Sequence, residues 1–177
     1  LPAPFFVIAT QNNVEMTGTY PLPEAQLDRF FARLYLGYPG REAENDILKQ
    51  QQNARPLEGV QQVVSLQELL ECQLSVRNVS VHDSVRGYIV DVVRATREHS
   101  LLTLGASPRG SLFLLHAAQA NAALAGNNFV RPDDVKEVAP MVLAHRVIAR
   151  GEVRARGVSN EDIIRQVLDS VNVPVPV

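Results

Sequence analysis

The feature that most constrains this chain is a change of hydrophobic period near Gly40. Before it, apolar residues come in short blocks, "PFFVIA" at 4–9 and "RLYLGY" at 33–38, the second stopped by Pro39 and Gly40. After it, they recur at helical spacing almost to the C-terminus. A short, fully apolar block is the pattern of a strand buried on both faces, as in a parallel sheet. Between the two blocks, Pro23 in "LPEAQLDRF" can open a short helix at its first turn. The expected order is strand, loop, short helix, strand and then helices: an α/β fragment followed by an all-helical unit.

The helical part is marked by its boundaries. "REAENDILKQQQ" reads as a polar helix with a thin apolar stripe, and Pro56, Gly59 and a capping Ser65 mark residues 56–65 as a connector. "LQELLECQLSV" and "SVRGYIVDVVRATRE" are the next helices, the latter with Val85, Ile89, Val92 and Val93 on one face. Its "IVDVV" tract also resembles a strand tipped by an acid, but the helical period is the stronger signal. "GASPRGSLFLLHAAQANAALAG" has Ser107 at a cap, Pro108 at the first helical position and Gly126 past the end. Arg109 then falls in the first turn, where the macrodipole mildly disfavours a cation, so it is either exposed or wanted for an anion. In "RPDDVKEVAPMVLAHRVIA" the positions Val135, Val138, Ala139, Val142 and Leu143 share a face, and Pro140 is expected to split or kink the helix. Ser159 with Asp162 caps a last helix.

Composition removes several classes. The 177 residues are 46% hydrophobic and 20% charged, as in ordinary globular proteins. A net charge of −2 gives no electrostatic basis for nonspecific nucleic-acid binding. With Cys72 as the one cysteine, no intrachain disulfide can form, and its setting predicts a small buried hydrophobe. The apolar runs are too short to span a bilayer. "LPAPFFVIATQ" lacks a charged region of the signal-peptide kind and enters a strand almost at once, as if cut from something longer.

Self-contained catalysis is not found. His82, His99, His116 and His145 are far apart in sequence, without metal-ligand spacing, and each is expected on a surface or helix face. None of the ten glycines is followed by lysine, so the phosphate loop G-x-x-x-x-G-K-[ST] is absent. What remains are polar groups that make sense as accessories to phosphoryl transfer. Asn12 in "TQN" stands at the tip of a strand, where ligands of open α/β sheets bind. Arg29 follows a short helix and Arg109 starts one; an amide can orient attacking water and arginines can neutralise charge on a γ-phosphate. Taken singly, Asn12 could cap a turn and the two arginines could be solvated.

"ATQNNVEMTGTYPLPEAQLDRF", then "LGYP", "LGASPRGSLFLLHAAQA" and "FVRPDDVKEVAPMVLAHRV" together resemble the C-terminal half of a MoxR-type AAA+ ATPase, in order and over nearly the whole chain. The resemblance implies the last parallel strands of a P-loop AAA+ core in residues 1–55, a linker at 56–65 and a helical lid at 66–177. Asn12 matches sensor 1, Arg29 the arginine finger that reaches a neighbouring subunit's nucleotide, and Arg109 sensor 2. Asn13 stands where the family usually has proline, which loosens the backbone after Asn12. ATP and Mg2+ are the implied cofactors of the parent protein, and a hexameric ring with a von Willebrand factor A-domain partner the implied assembly. The implied activity is ATP hydrolysis by a cytoplasmic, chaperone-like remodeller of complexes or inserter of metals or cofactors. The chain itself, without phosphate loop or magnesium-binding acid, is expected to be inactive.

Two rival readings belong to other classes. The basic segment "HRVIARGEVRAR" at 145–156, with Arg146, Arg150, Arg154 and Arg156, could dock a partner onto a non-catalytic helical module. Residues 132–150 could form a helix-turn-helix DNA reader, which the charge balance disfavours.

Overall fold

A computed structural model describes residues 4–11, 22–53 and 56–174. The chain runs from an irregular stretch through α1 (Glu24–Leu27) and α2 (Arg41–Asn53) to a 3-10 turn at Pro56–Gly59. Then follow α3 (Leu66–Arg77), α4 (Asp83–Glu98), β1 (Leu102–Leu104), α5 (Pro108–Leu124) and α6 (Pro132–Leu143). A 3-10 turn at Ala144–Arg146, β2 (Ile148–Ala149), α7 (Gly151–Ala155) and α8 (Asn160–Ser170) complete it.

The core begins at Val79 and is made by α4, α5, α6 and α8. The α4 face predicted from periodicity is buried at Val85, Ile89, Val92 and Val93, joined by Tyr88 and Thr96. Small residues on α5, Ala117, Ala118 and Ala122, let it approach Val135, Val138, Ala139, Val142 and Leu143 of α6. From α8 come Ile163, Ile164, Val167 and Leu168. Local chemistry fixes the ends. Ser65 and Glu68 form a reciprocal capping box on α3, and the Ser159 hydroxyl accepts from the Asp162 N–H. Gly126 follows α5 at φ 77°, a left-handed conformation suited to glycine.

Several expectations are corrected. Residues 4–9 and 33–38 form no helix and join no ladder among the described residues, and Gly37 breaks the second segment with a left-handed φ of 65°. A strand exists only by pairing, and the apolar pattern that marks these segments does not supply a neighbour. Phe6 and Ile8 are accordingly 80% and 82% exposed. Cys72 is exposed rather than buried, because α3 buries none of its residues. Pro140 does not split α6, which continues to Leu143. Burial of Val138, Ala139, Val142 and Leu143 offsets the hydrogen bond that the proline removes. Leu102 and Leu104 pair antiparallel with Ala149 and Ile148, a small sheet within what was expected to be all helix. That pairing also ends the helix-turn-helix reading, since no second long helix follows α6 before residue 150.

Candidate functional site

The position of Arg109 is set by the loop before α5. The Thr96 hydroxyl, inside α4, donates to the Val93 carbonyl at 2.6 Å and accepts the Ala106 N–H at 2.9 Å. Arg97 Nε donates to the Ala106 carbonyl at 2.8 Å, so the loop is pinned to the end of α4. Gly105 makes this possible, since a Cβ there would lie 2.6 Å from the Arg97 backbone. Ser107 has the extended backbone of an N-cap, yet its hydroxyl does not cap the helix. It donates instead to the Asp28 carboxylate, at 3.1 and 3.3 Å. Arg109, second in the helix, places Nη1 3.5 Å from Asp28 Oδ2. The carboxylate thus stands near the positive end of the α5 dipole and offsets the cation there.

Asp28 is held from a second side. After α1, whose first turn closes on the Pro23 carbonyl, Asp28 is the capping residue and the Arg29 and Phe30 N–H groups donate back to Gln26 and Leu27. Arg146, in the 3-10 turn after α6, meets this segment with a side chain that is fully buried. Its Nη2 donates to the carbonyls of Asp28, at 3.3 Å, and Phe30; its Nη1 donates to those of Phe31, at 3.4 Å, and Val142. Its Nε is 3.3 Å from Asp28 Oδ1, an ionic contact without hydrogen-bond alignment. The guanidinium also lies 4.8 Å from the Phe113 ring centroid, and Phe113 meets Phe31 edge-on at 5.3 Å. Arg33 N–H donates to the Met141 carbonyl at 2.9 Å, so residues 28–33 are fastened to the helical unit.

Burial shapes the electrostatics. Desolvation, opposed by Asp28 and assisted by Arg109, pushes Arg146 down to about 10, which leaves it cationic at neutral pH. His145 is pushed down to about 4, by burial first and by the Arg146 charge second. It is therefore a neutral imidazole whose Nε2 lies 3.2 Å from the Phe30 carbonyl, with Nδ1 buried and unpartnered.

Of the residues singled out from the sequence, Asn12 lies outside the described residues. Arg29 is exposed and makes no ion pair among the described residues, although both its flanking residues are clamped. Arg109 is 44% exposed, and its ionic partner is Asp28. The structure brings Arg109 to the residue beside Arg29 rather than to Arg29 itself. Arg109 thus keeps a half-exposed guanidinium with a single long ionic contact among the described residues. Among the described residues no cluster of His, Cys, Asp and Glu could hold a metal ion. Sequence reasoning missed Asp28, and it placed Arg146 in a docking surface and His145 on a surface or helix face rather than in this cluster. Asp28 precedes Arg29 directly, and Arg146 follows Val142 by one helical turn inside an apolar run, which was the available signal. The docking reading loses Arg146, which is internal; Arg150, Arg154 and Arg156 are exposed, and Arg150 Nε donates to the Ser100 carbonyl at 2.7 Å. His145 is likewise buried, not on a surface.

Two family models match separate stretches of the chain. The AAA lid domain family matches residues 94–167, and the ATPase family associated with various cellular activities (AAA) matches residues 1–32. The uncharacterised protein YeaC of Bacillus subtilis is 46% identical over 99% of this chain and 55% of its own length. Chaperone MoxR1 of Mycobacterium tuberculosis is 40% identical over 98% of this chain and 48% of its own. A crystal structure of a candidate ATPase from Cytophaga hutchinsonii superimposes with a TM-score of 0.90 at 38% identity, over 99% of this chain and 56% of that one. The chain spans about half the length of the curated relatives it matches. No helix among the described residues is long and apolar enough to cross a membrane. With both AAA segments matched in order, relatives of the MoxR name along nearly the whole chain and a shared fold, the chain matches the C-terminal part of MoxR-type AAA+ ATPases.

Proposed function

We propose that this chain is the C-terminal portion of a MoxR-type ATPase, with residues 1–55 completing a nucleotide-binding domain and 66–177 forming its lid. The parent protein is a cytoplasmic, chaperone-like remodeller that assembles complexes or inserts metals or cofactors. It works as a hexameric ring with a von Willebrand factor A-domain partner. ATP with Mg2+, when bound, supplies the γ-phosphoryl group that passes to water. Asn12 orients that water, Arg109 neutralises phosphate charge from the lid, and Arg29 reaches the nucleotide of the next subunit.

One observation carries the reading of Arg29. Its side chain is exposed while Arg146 holds the carbonyls of Asp28 and Phe30 on either side, a rigid base for a cation that acts outward. A preorganised charge of this kind stabilises a transition state without reorganising when the reaction occurs. In the full-length protein Arg29→Ala should lower ATP turnover by ~10³ to 10⁵ while leaving ATP binding nearly intact. Unchanged turnover removes Arg29 from the role. The 177-residue chain alone should show no ATP hydrolysis above background, in keeping with its lack of a phosphate loop.

A further inference from the structure

Asp28 carries one negative charge and faces two arginines that differ sharply in how firmly they are held. Arg146 has no exposed side-chain surface and is fixed by backbone carbonyls, whereas the Arg109 side chain is 44% exposed and touches Asp28 at 3.5 Å. If Arg109 departs, Asp28 keeps the Ser107 hydroxyl and the Arg146 guanidinium, so it is not stranded. If Arg146 departed, a buried cation would lose its counter-charge, which is far more costly. Arg109 is therefore the partner that can be exchanged. The cluster of two guanidinium groups and one carboxylate also carries a surplus positive charge, an invitation to a further anion.

We infer that Asp28 is a positioning residue that holds Arg109 as a stand-in for phosphate and yields it when nucleotide binds, coupling lid occupancy to the segment that carries Arg29. This rests on the reading of Arg109 as a nucleotide contact. Release of Arg109 leaves the Asp28 carboxylate with Ser107 and Arg146 alone, and Arg29 is its immediate neighbour in the chain. The physical content is competition: a phosphate must take Arg109 from a carboxylate, and the carboxylate's state is felt one residue from the finger.

The test is a double-mutant cycle in the full-length protein, reading the affinity for a non-hydrolysable ATP analogue together with kcat. Asp28→Asn keeps oxygen for Ser107 and Arg146 but removes the competing charge, so it should tighten analogue binding about 5-fold or more. It should also lower kcat. The gain in affinity should vanish in an Arg109→Ala background, and Asp28→Glu, which restores the charge, should return affinity to within about twofold of wild type. If Arg109→Ala alone leaves affinity unchanged, the nucleotide assignment of Arg109 is wrong and the inference goes with it. If Arg109→Ala weakens binding but Asp28→Asn has no effect or acts additively, the assignment stands and the coupling is overturned. Should Asp28→Asn fail to fold, nitrogen-15 NMR of the wild-type guanidinium groups decides the matter. Addition of the analogue should move the Arg109 Nε–H signal and leave that of Arg146 in place, and an Arg109 signal that does not move overturns the inference.

Discussion

A buried histidine beside a buried arginine makes the stability of this chain sensitive to acid. Burial first and the neighbouring Arg146 charge second disfavour the imidazolium, so the folded value of His145 lies near 4 against an ordinary 6.5. The unfolded chain takes up this proton first as pH falls. The stabilising contribution is thus complete above about pH 6.5 and is lost progressively down to about pH 4. A shift of this size corresponds to about 3 kcal/mol at most. His145→Gln offers an amide N–H to the Phe30 carbonyl and does not titrate. Its unfolding free energy, measured by denaturant at neutral pH and near the lower end of that window, should fall less than that of wild type by most of this amount. Parallel pH profiles would show that His145 charges freely in the folded state. Arg146, by contrast, stays protonated throughout the window, so the clamp on residues 28–31 persists as His145 titrates.

At the scale of elements, the joint between α4 and α5 carries the site, and its glycines differ in what surrounds them. Gly105 sits against the Arg97 backbone, which cannot move without opening the Thr96 and Arg97 hydrogen bonds to Ala106. Gly105→Ala should cost roughly 1–3 kcal/mol by overpacking, and should displace Arg109 from Asp28. Gly87, within α4, has nothing within 4 Å of an added Cβ, so Gly87→Ala should stabilise the chain by up to ~1 kcal/mol. Thermal melts of the two variants should move in opposite directions; a melt of Gly105→Ala at or above wild type would show that the joint is slack. The same contrast explains what could be read in advance. Helix starts at Ser65 and Ser159 were legible because capping is local chemistry, that of α5 because Pro108 takes its first position, and the α4 and α6 faces because one helical period runs through them. Strands were not, since pairing depends on residues distant in the chain: Leu102 with Ala149 for the pair that forms, and no neighbour among the described residues for 4–9. Cys72 was misplaced because an apolar stripe declares what a helix can bury, not whether anything covers it. Arg29 and Arg109 were legible through their motifs, whereas Asp28 and Arg146 take their meaning from contacts more than a hundred residues apart.

Across the whole molecule, a well-packed helical core coexists with an exposed apolar segment near the N-terminus. Phe5, Phe6, Val7 and Ile8 are all exposed, a run that in water is unfavourable and prone to pair with other chains. The proposal that residues 1–55 complete a sheet gives these side chains a burial site in the full-length protein, and so a stability test with opposite outcomes in two contexts. Phe6→Asp with Ile8→Asp should change the unfolding free energy of the 177-residue chain by no more than ~0.5 kcal/mol, the usual effect of surface substitutions, and should improve its solubility. In the full-length protein the same pair would bury carboxylates in a sheet core without partners, at a cost of several kcal/mol, enough to abolish cooperative melting of the nucleotide-binding domain. A pair of substitutions equally mild in both contexts would mean that the segment is no buried strand. The sensor-1 assignment of Asn12, which rests on the tip of that strand, would then lose its structural support even if Arg29 and Arg109 kept theirs.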